Sequence, residues 1–427
     1  MKKVLIIAYY WPPAGGPGVQ RWLKFVKYLP DFGVEPIVYV PENPNYPITD
    51  NSLEQEVPES ITVLKQPIEE PYKFAGLLSK KNSNTLSKGI IKKEKNQSFL
   101  EKIMLYVRGN FFIPDARKNW VKPSVNYLSE YISSNAIDTI ITTGPPHSLH
   151  LIGLQLKEQL GVKWIADFRD PWTTIGYHKK LKLSNSAKKK HLQLEHTVLN
   201  VADNIIVTSD RTQTEFKEKT DKPISVITNG YDVEHAGKVE LDKKFSIAHI
   251  GSLLSDRNPE ILWKVLQELV KTDKVFESFF RLTLIGAVSN EVLESIDKHK
   301  LSHFVNLKGY IPHEEAIKRQ RSAQVLLLIE IDSEDTKCII PGKLFEYMVS
   351  NRPILAIGPE DSDVEQIIKS TNTGKYFNYS EYDALKATIL EYFNAFRKEN
   401  LQSHPIGLQQ YSRKQLTNKL AKLVLEQ

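Results

Sequence analysis

Short apolar segments alternate along the chain with longer segments whose apolar residues recur at helical spacing. Such alternation is typical of a parallel sheet flanked by helices. The first segment, Val4–Tyr9, is apolar without interruption, as expected of a central strand buried on both faces. Further strands are predicted at Glu35–Val40, Thr139–Thr143, Lys163–Asp167, Ile205–Thr208, Ser225–Ile227, Ser246–Ile250, Arg281–Ile285, Val305–Leu307, Val325–Ile329 and Pro353–Ala356.

Helices are predicted between these strands, and the rhythm of strands and helices restarts after Asn229-Gly230. The predicted helices cover Val19–Phe32, Ser148–Leu160, Asn185–Val201, Pro259–Thr272 and Lys414–Leu425. The pattern predicts an α/β protein with two Rossmann-like domains, residues 1–232 and 240–405. Residues 406–427 form a C-terminal helix that could pack back on the first domain, and residues 41–98 read as an irregular insertion.

Composition narrows the class of protein. The 427 residues are 41% apolar and 25% charged, which excludes a disordered chain. The single cysteine, Cys338, excludes an intramolecular disulfide framework and a zinc site of several thiolates, and it fits a reducing compartment. No apolar run reaches the ~18–20 residues that span a bilayer, so a cytoplasmic location is expected.

The net charge of +6 is unevenly distributed: residues 1–230 carry +8 and residues 231–427 carry −2. Residues 73–123 hold 12 basic and 3 acidic side chains, and the basic part of an insertion at about 73–112 falls within them. Such a stretch suits an anionic membrane surface, a phosphorylated substrate or nucleic acid, or is simply a solvated surface. The amphipathic segment Phe99–Phe112 favours a membrane surface. No recognition motif supports nucleic acid.

Two glycine-containing turns are candidate anion sites. Gly15-Gly16-Pro17-Gly18 follows the first strand and precedes a helix, where backbone N–H groups can approach an anion closely. It matches neither the dinucleotide fingerprint nor a P-loop, and an ordinary tight turn is the alternative. In the second half, Pro341-Gly342-Lys343 begins a helix that carries Glu346 in its first turn, and Gly251-Ser252 and Arg257 follow another strand.

A third cluster combines His147 with Asp167, Arg169 and Asp170, which follow two consecutive strands of the first domain. The carboxyl ends of parallel strands meet at one sheet edge, where ligands of α/β proteins bind. His147 could therefore hydrogen-bond a sugar or an attacking hydroxyl, or it could cap the helix that follows. Asp167 is expected to be structural. The spacing gives no positive sign of a metal site.

Together these segments make the chain resemble glycosyltransferase family 4, whose members are retaining enzymes with the two-lobed GT-B fold. The resemblance rests on Gly15-Gly16, Asn229-Gly230, Gly251 with Arg257, and Pro341–Tyr347 before Pro353-Ile354-Leu355. The segments 142–147 and 167–172 are similar to a bacterial branch that makes cell-surface polysaccharides. The resemblance implies two Rossmann-like domains that face each other across a cleft.

Residue by residue, the resemblance implies that Glu346 binds the ribose of the sugar donor and that Arg257 stands where the family has a diphosphate-binding lysine. Ser252 stands where an arginine is usual. The first glutamate of the family's E-x7-E motif is replaced by Cys338, which cannot act as a carboxylate. Four acidic residues upstream could substitute for it, and the sequence does not choose among Glu330, Asp332, Glu334 and Asp335.

The resulting hypothesis is a glycosyltransferase that moves a sugar, with retention, from a UDP- or GDP-linked donor to a saccharide or lipid-phosphate-linked acceptor, without a metal or other cofactor. The candidate catalytic residues are His147, Arg169 and Asp170. The candidate donor-binding residues are Gly15, Gly16, Gly251, Ser252, Arg257, Gly342, Lys343, Leu344 and Glu346. Two alternatives remain: a nucleotide-sugar epimerase of the same fold, and a non-catalytic protein that binds saccharide or membrane. A peripheral position on the inner face of the cell membrane, through residues 73–123, is a further expectation.

Overall fold

The computed structural model describes residues 1–70, 99–232 and 239–426. The chain divides into two compact units. The first unit comprises Met1–Asn229 together with Arg413–Gln427, and the second comprises Gly230–Ser412. The C-terminal helix is thus part of the first unit, and the unit boundaries lie at residues 229/230 and 412/413.

The first unit is built on a seven-stranded parallel sheet with the order β3-β2-β1-β4-β5-β6-β7. Its strands are β1 (Lys2–Ile7), β2 (Val34–Pro41), β3 (Thr62–Gln66), β4 (Thr139–Gly144), β5 (Lys163–Phe168), β6 (Asn204–Val207) and β7 (Ile224–Val226). Its helices are α1 (Pro17–Tyr28), α2 (Phe99–Phe111), α3 (Val121–Ser134), α4 (Ser148–Leu160), α5 (Gly176–Lys179), α6 (Asn185–Val201) and α7 (Asp210–Lys217).

Both faces of this sheet are covered, which explains the uninterrupted apolar run of β1. Val4 and Ile6 pack in a cluster with residues of α1 and of the C-terminal helix. Leu5 and Ile7 point the other way, into a cluster formed with residues of α3 and α4. Successive side chains of a strand alternate between faces, so a strand with helices on both sides buries the side chains of both faces.

The second unit repeats the same construction with a six-stranded parallel sheet of order β10-β9-β8-β11-β12-β13. Its strands are β8 (Phe245–Ile250), β9 (Phe280–Ile285), β10 (Val305–Gly309), β11 (Val325–Ile329), β12 (Ile354–Ile357) and β13 (Gly374–Phe377). The remaining helices are α8 (Glu260–Thr272), α9 (Lys274–Phe279), α10 (Asn290–Lys298), α11 (His313–Ser322), α12 (Lys343–Met348), α13 (Asp363–Thr371), α14 (Tyr382–Arg397) and, in the first unit, α15 (Arg413–Leu425).

Each sheet reverses its strand order once, between β1 and β4 in the first unit and between β8 and β11 in the second. In open α/β sheets this reversal opens a crevice at the carboxyl ends of the two strands, and ligands bind there. The predicted α/β class with two Rossmann-like domains is confirmed.

Two edge strands were not expected from the sequence. β3 lies within the region read as irregular, and β13 follows α13. Each pairs with one neighbour only, and both contain exposed polar positions, so neither has the continuous apolar signal of an inner strand. The part of the predicted basic insertion at 73–98 lies outside the described residues, and its remainder forms α2.

Candidate functional site

In the first unit, the loops that follow β1, β4 and β5 line a pocket of about 240 Å³. Tyr10 comes from the first loop, Pro145 and His147 from the second, and Trp172 from the third. The pocket therefore lies at the strand-order reversal between β1 and β4. Several of its other lining residues belong to the basic stretch 73–123, and the full set is Pro47, Arg108, Phe112, Pro114, Asp115, Arg117, Pro146, His178 and Leu181.

His147 occupies the N-cap position of α4, but its side chain caps no backbone N–H group. Its ring stacks on Trp172 with centroids 4.8 Å apart and planes within 1° of parallel. Neither ring nitrogen has a hydrogen-bond partner among the described residues. Burial lowers the pKa of His147 well below its usual value, and His150 lowers it further. The result is a neutral imidazole, with one donor and one acceptor nitrogen, at a ligand-sized pocket.

The cap of α4 comes instead from Asp115, which precedes α3 in the chain. Ser148 donates to its carboxylate from the backbone N–H at 2.9 Å and from the hydroxyl at 2.8 Å. A carboxylate at a helix N-terminus complements the helix dipole. Asp115 thus fixes the start of α4, which leaves the neighbouring His147 side chain available for the pocket.

Arg169 links the glycine-rich loop to the loop after β4. Its Nη2 donates to the carbonyl oxygen of Pro145, and its guanidinium lies 5.7 Å from the ring centre of Tyr10. A Cβ atom at Gly18 would lie 1.6 Å from Nη1 of Arg169, so this position of the loop requires glycine as long as the guanidinium stays there. Gly15 and Gly16 lie three and two residues before Gly18, and Gly16 has a φ of 106° and forms the N-cap of α1.

The two aspartates next to Arg169 differ in role. Asp167 is fully buried and accepts hydrogen bonds from Arg21 at 2.9 Å, from the indole of Trp22 at 3.0 Å and from the hydroxyl of Thr143 at 2.9 Å. Asp167 therefore has a structural role: its ion pair with Arg21 connects α1 to β5. Burial raises the pKa of Asp170 while Arg169 opposes this, and Asp170 is not one of the residues that line the pocket.

In the second unit, a pocket of about 180 Å³ lies at the carboxyl ends of β8 and β11. Four of the residues expected to bind the sugar donor line it together, namely Gly251, Ser252, Arg257 and Lys343. Gly251 has a φ of 116°, which favours glycine. A Cβ atom on Gly286 would lie 2.7 Å from the carbonyl oxygen of Gly251, so two glycines allow this turn to pack closely.

Two cations give this pocket its charge. The ammonium of Lys343 lies 3.1 Å from Nε2 of His249 and 3.1 Å from the carbonyl oxygen of Ile250. Burial lowers the pKa of Lys343 to about 7, and Arg257 is a smaller cause in the same direction. Within the described chain, the guanidinium of Arg257 forms no hydrogen bond or ion pair. An anionic ligand would compensate the charge of both cations and would favour the charged form of Lys343.

Three other predicted donor-binding residues, Gly342, Leu344 and Glu346, lie near this pocket in the chain without lining it, whereas Gly15 and Gly16 belong to the first unit and line neither pocket. Glu346 accepts a hydrogen bond from Gln320 at 2.7 Å, and its other carboxylate oxygen lies 3.9 Å from His313. Gly342 is the N-cap of α12. Leu344 has a buried side chain, and its N–H donates to Pro341.

One acidic side chain lines the pocket beside the cations. Glu330, at the end of β11, is 5% exposed, and burial raises its pKa to about 7. Cys338, where the resemblance places a glutamate, is a partly buried free thiol. Among the described residues, no group of three or more His, Cys, Asp and Glu side chains is arranged to hold a metal ion.

Comparison with known proteins gives a consistent picture. Residues 92–235 match the profile of Glycosyltransferase Family 4. A search of proteins with curated functions found no significant match. Solved structures match over nearly the whole chain, at identities that establish the fold alone.

Three of these structures illustrate the range of activities among proteins with this fold. A glycosyltransferase from Rickettsia africae is 14% identical, with a TM-score of 0.60 over 100% of this chain and 99% of that one. S. aureus TarM, solved with fondaparinux, alpha-GlcNAc-glycerol and UDP, is 14% identical, with a TM-score of 0.59 over 100% of both chains. A Listeria monocytogenes protein described as a putative UDP-N-acetylglucosamine 2-epimerase is 11% identical, with a TM-score of 0.56 over 99% of this chain and 96% of that one.

Proposed function

Because residues 92–235 match Glycosyltransferase Family 4 and the chain has the GT-B fold, we propose that it is a glycosyltransferase of that family with a specific reaction. The second unit binds a UDP- or GDP-linked sugar, and the sugar passes with retention to a saccharide or lipid-phosphate-linked acceptor. The reaction belongs to the synthesis of cell-surface polysaccharide.

The observation that carries this proposal is the pair of cations, Arg257 and Lys343, on one pocket at the strand-order reversal of the second unit. A sugar donor leaves a nucleoside diphosphate behind when its glycosidic bond breaks, and negative charge grows on that diphosphate in the transition state. Fixed cations in a partly desolvated pocket stabilise such charge without having to reorganise. Arg257 can bind two phosphate oxygens at once, and Lys343 supplies a point charge.

The acceptor side of the proposal rests on the pocket of the first unit. His147 presents a neutral ring with free nitrogens, and such a ring can accept a hydrogen bond from an attacking hydroxyl group. The residues around it combine aromatic rings with Arg108 and Arg117, a mixture that suits a saccharide carrying a phosphate. An epimerase of the same fold would use the sugar donor alone and would have no need of this second pocket.

The first experiment is a thermal-shift screen with UDP, GDP and dTDP and with their sugar conjugates. We expect one nucleotide family to raise the melting temperature of the wild-type protein and to lose this effect in Arg257→Ala. Glu334→Ala is the matched control, because Glu334 lies in the loop after β11, is exposed, and pairs only with Lys337 in the described structure. Stabilisation by no nucleotide at all would refute the proposal.

The second experiment separates the two catalytic alternatives. The nucleotide sugar found by the screen is incubated with the protein, with and without candidate acceptors, and the sugar is followed by NMR. A transferase gives a new glycosidic bond with the anomeric configuration of the donor, and only when an acceptor is present. A change of configuration at another ring carbon without acceptor would identify an epimerase instead.

The proposed enzyme works at an anionic membrane surface, and α2 supports this part of the proposal. One face of α2 packs inward through Leu105 and Gly109. The opposite face leaves large apolar side chains in solvent: Phe99 is 80% exposed and Phe111 63%, with Ile103, Tyr106 and Val107 also exposed. An exposed apolar face beside basic residues is typical of a helix that lies in the membrane interface. In the described parts of the chain, no helix is long and apolar enough to cross a bilayer.

Vesicle flotation tests the membrane part separately. We expect the protein to float with vesicles that contain phosphatidylglycerol and to stay behind with neutral vesicles, because each lysine near an anionic leaflet contributes about 1 kcal/mol. Replacing Phe99 and Phe111 by serine, or reversing the charges at Lys92, Lys93 and Lys95, should weaken flotation. The three lysines lie outside the described residues. Unchanged flotation in both variants would exclude this surface and leave the donor site unaffected.

A further inference from the structure

Glu330 is a buried acidic residue of the second unit, and one of its carboxyl oxygens has no hydrogen-bond partner among the described residues. It follows the last residue of β11, beside the turn after β8, so the strand-order reversal places it next to Gly251 and Ser252. Its side chain lines the same pocket as Arg257 and Lys343. A carboxyl group in this position faces whatever ligand the cations attract.

The two carboxyl oxygens of Glu330 have different surroundings. Oε2 accepts hydrogen bonds from the hydroxyls of Tyr376 at 2.7 Å and Ser362 at 3.1 Å. Oε1 is buried and has no hydrogen-bond partner among the described residues. Leaving a buried polar oxygen without a partner is costly, and native proteins rarely do so without a reason.

The residues that hold Glu330 make its position rigid. Tyr379 donates its hydroxyl to the backbone carbonyl of Glu330 at 2.7 Å. A Cβ atom on Gly358 would lie 2.6 Å from Oε2 and 2.2 Å from the Tyr376 hydroxyl, so only glycine allows this contact. Two hydroxyl groups thus hold the carboxyl group, a third holds the backbone of the same residue, and one carboxyl oxygen stays open.

The neighbouring acidic residues do not share these properties. Asp332 and Glu334 are exposed, and Glu334 forms an ion pair with Lys337 at 2.6 Å. Neither these two nor Asp335 lines the pocket as described. Of the four acidic residues that the sequence left open, Glu330 is therefore the one with a free oxygen at the site.

We propose that Glu330 binds a hydroxyl group of the sugar carried by the nucleotide donor, with Oε1 as the acceptor atom; this inference rests on the proposed donor site. A hydroxyl group is the suitable partner because it can donate a hydrogen bond to Oε1 when the carboxyl group is ionised and accept one when it is protonated, whereas an ionised phosphate can only accept. Recognition of the sugar is then separated from recognition of the diphosphate. Glu330 serves the former, and Arg257 and Lys343 serve the latter.

Because different residues recognise the sugar and the diphosphate, the test compares the binding of two ligands to each protein, one with the sugar and one without it. Calorimetry gives the dissociation constants of the nucleoside diphosphate and of the nucleotide sugar, using UDP with UDP-glucose and UDP-GlcNAc, or GDP with GDP-mannose, as the screen decides. In Glu330→Ala, we expect binding of the nucleotide sugar to weaken about tenfold to a hundredfold, as for loss of a hydrogen bond to a charged group. Binding of the diphosphate should change less than about twofold, since the cations remain.

Two further variants keep the test decisive. Glu330→Gln preserves the shape of the side chain, so it carries the test if the alanine variant does not fold, and the same selective loss is expected in weaker form. Glu334→Ala should bind both ligands like the wild type. Equal weakening of both ligands, or of neither, in the Glu330 variants would overturn the role of Glu330 while leaving the donor site in place. Wild-type protein that binds neither ligand would overturn the donor site itself.

Discussion

The low pKa of Lys343 makes binding of the sugar donor depend on pH in a way that can be calculated. In the free protein, burial holds the pKa of Lys343 near 7, against an ordinary value of 10.5. A bound diphosphate places two negative charges beside the ammonium and raises the pKa again. Above pH 7, binding must therefore take up a proton, and the affinity falls as the pH rises.

The size of the fall in affinity follows from the lowered pKa of Lys343. Each pH unit above the pKa of the free protein costs about 1.4 kcal/mol, or a factor of about ten in the dissociation constant. Half of the lysine is already neutral at pH 7, so between pH 7 and pH 9 we expect the dissociation constant of the nucleotide sugar to rise about fiftyfold. Below pH 7 the lysine is already charged in the free protein, so this contribution to the pH dependence disappears.

The assay is calorimetry at pH 6, 7, 8 and 9, repeated at pH 8 in two buffers of different ionisation enthalpy. A nucleotide sugar is the right ligand, because its diphosphate has no group that titrates in this range. The difference in measured heat between the buffers should correspond to uptake of about one proton. The charged and titratable neighbours of Lys343 are Arg257, Glu346 and His249, and Glu330 also lines the pocket.

Lys343→Met isolates the contribution of the lysine from that of its neighbours. It should bind the nucleotide sugar more weakly at pH 7 and should lose the additional fall toward pH 9. Any dependence that Glu330 contributes stays in both proteins and cancels in their comparison. A wild-type dissociation constant that is the same at pH 7 and pH 9, or a methionine variant with the full pH dependence, would refute the reasoning.

Three further predictions concern the first unit. Asp167→Asn should lower the free energy of unfolding by about 3–5 kcal/mol in denaturant titrations, because it leaves the buried guanidinium of Arg21 without its charged partner. His147→Phe should keep the ring stacking and the affinity for the sugar donor but reduce turnover at least about tenfold, since it removes both ring nitrogens; unchanged turnover would exclude His147 from the reaction. Gly18→Ala should displace the Arg169 guanidinium and reduce turnover without weakening donor binding, and a crystal structure of the variant would show whether that side chain moved.

The fold could be predicted from the sequence where burial leaves no freedom in the choice of residue. The stretch Val4–Ile7 of β1 and the whole of β11 are covered on both faces, so each is visible as an uninterrupted apolar run, and in β8 only Ser246 and His249 interrupt the run. The edge strands β3 and β13 lack that constraint. Their polar positions face solvent, and nothing in their local sequence separates them from loops.

The residues of the candidate sites also differ in whether the local sequence is enough to select them. Gly251, Ser252, Arg257 and Lys343, which line one pocket, could be selected from the sequence because a strand followed by glycine and a cation is typical of an anion site, and their role in donor binding stays a prediction. Glu330 could not be chosen among its acidic neighbours, because the hydroxyls that hold it come from residues 362 and 376, well outside any local pattern. For the same reason, the stacking of His147 on Trp172 and the cap provided by Asp115 depend on tertiary contacts alone.

The distribution of charge shows why net charge alone does not locate a phosphate site. The half of the chain with a charge of +8 suggests the stronger attraction for anions, yet the pocket with two poorly compensated cations lies in the half with −2. The reason is the dielectric environment: charges near a protein surface are screened by water and salt, whereas the same charges in a partly desolvated pocket interact several times more strongly. Two cations held in such a pocket can therefore bind a diphosphate on a unit that carries no net positive charge. The basic surplus of the first half acts at the surface, over longer distances and only at low to moderate ionic strength, which is the behaviour that docking on an anionic membrane requires.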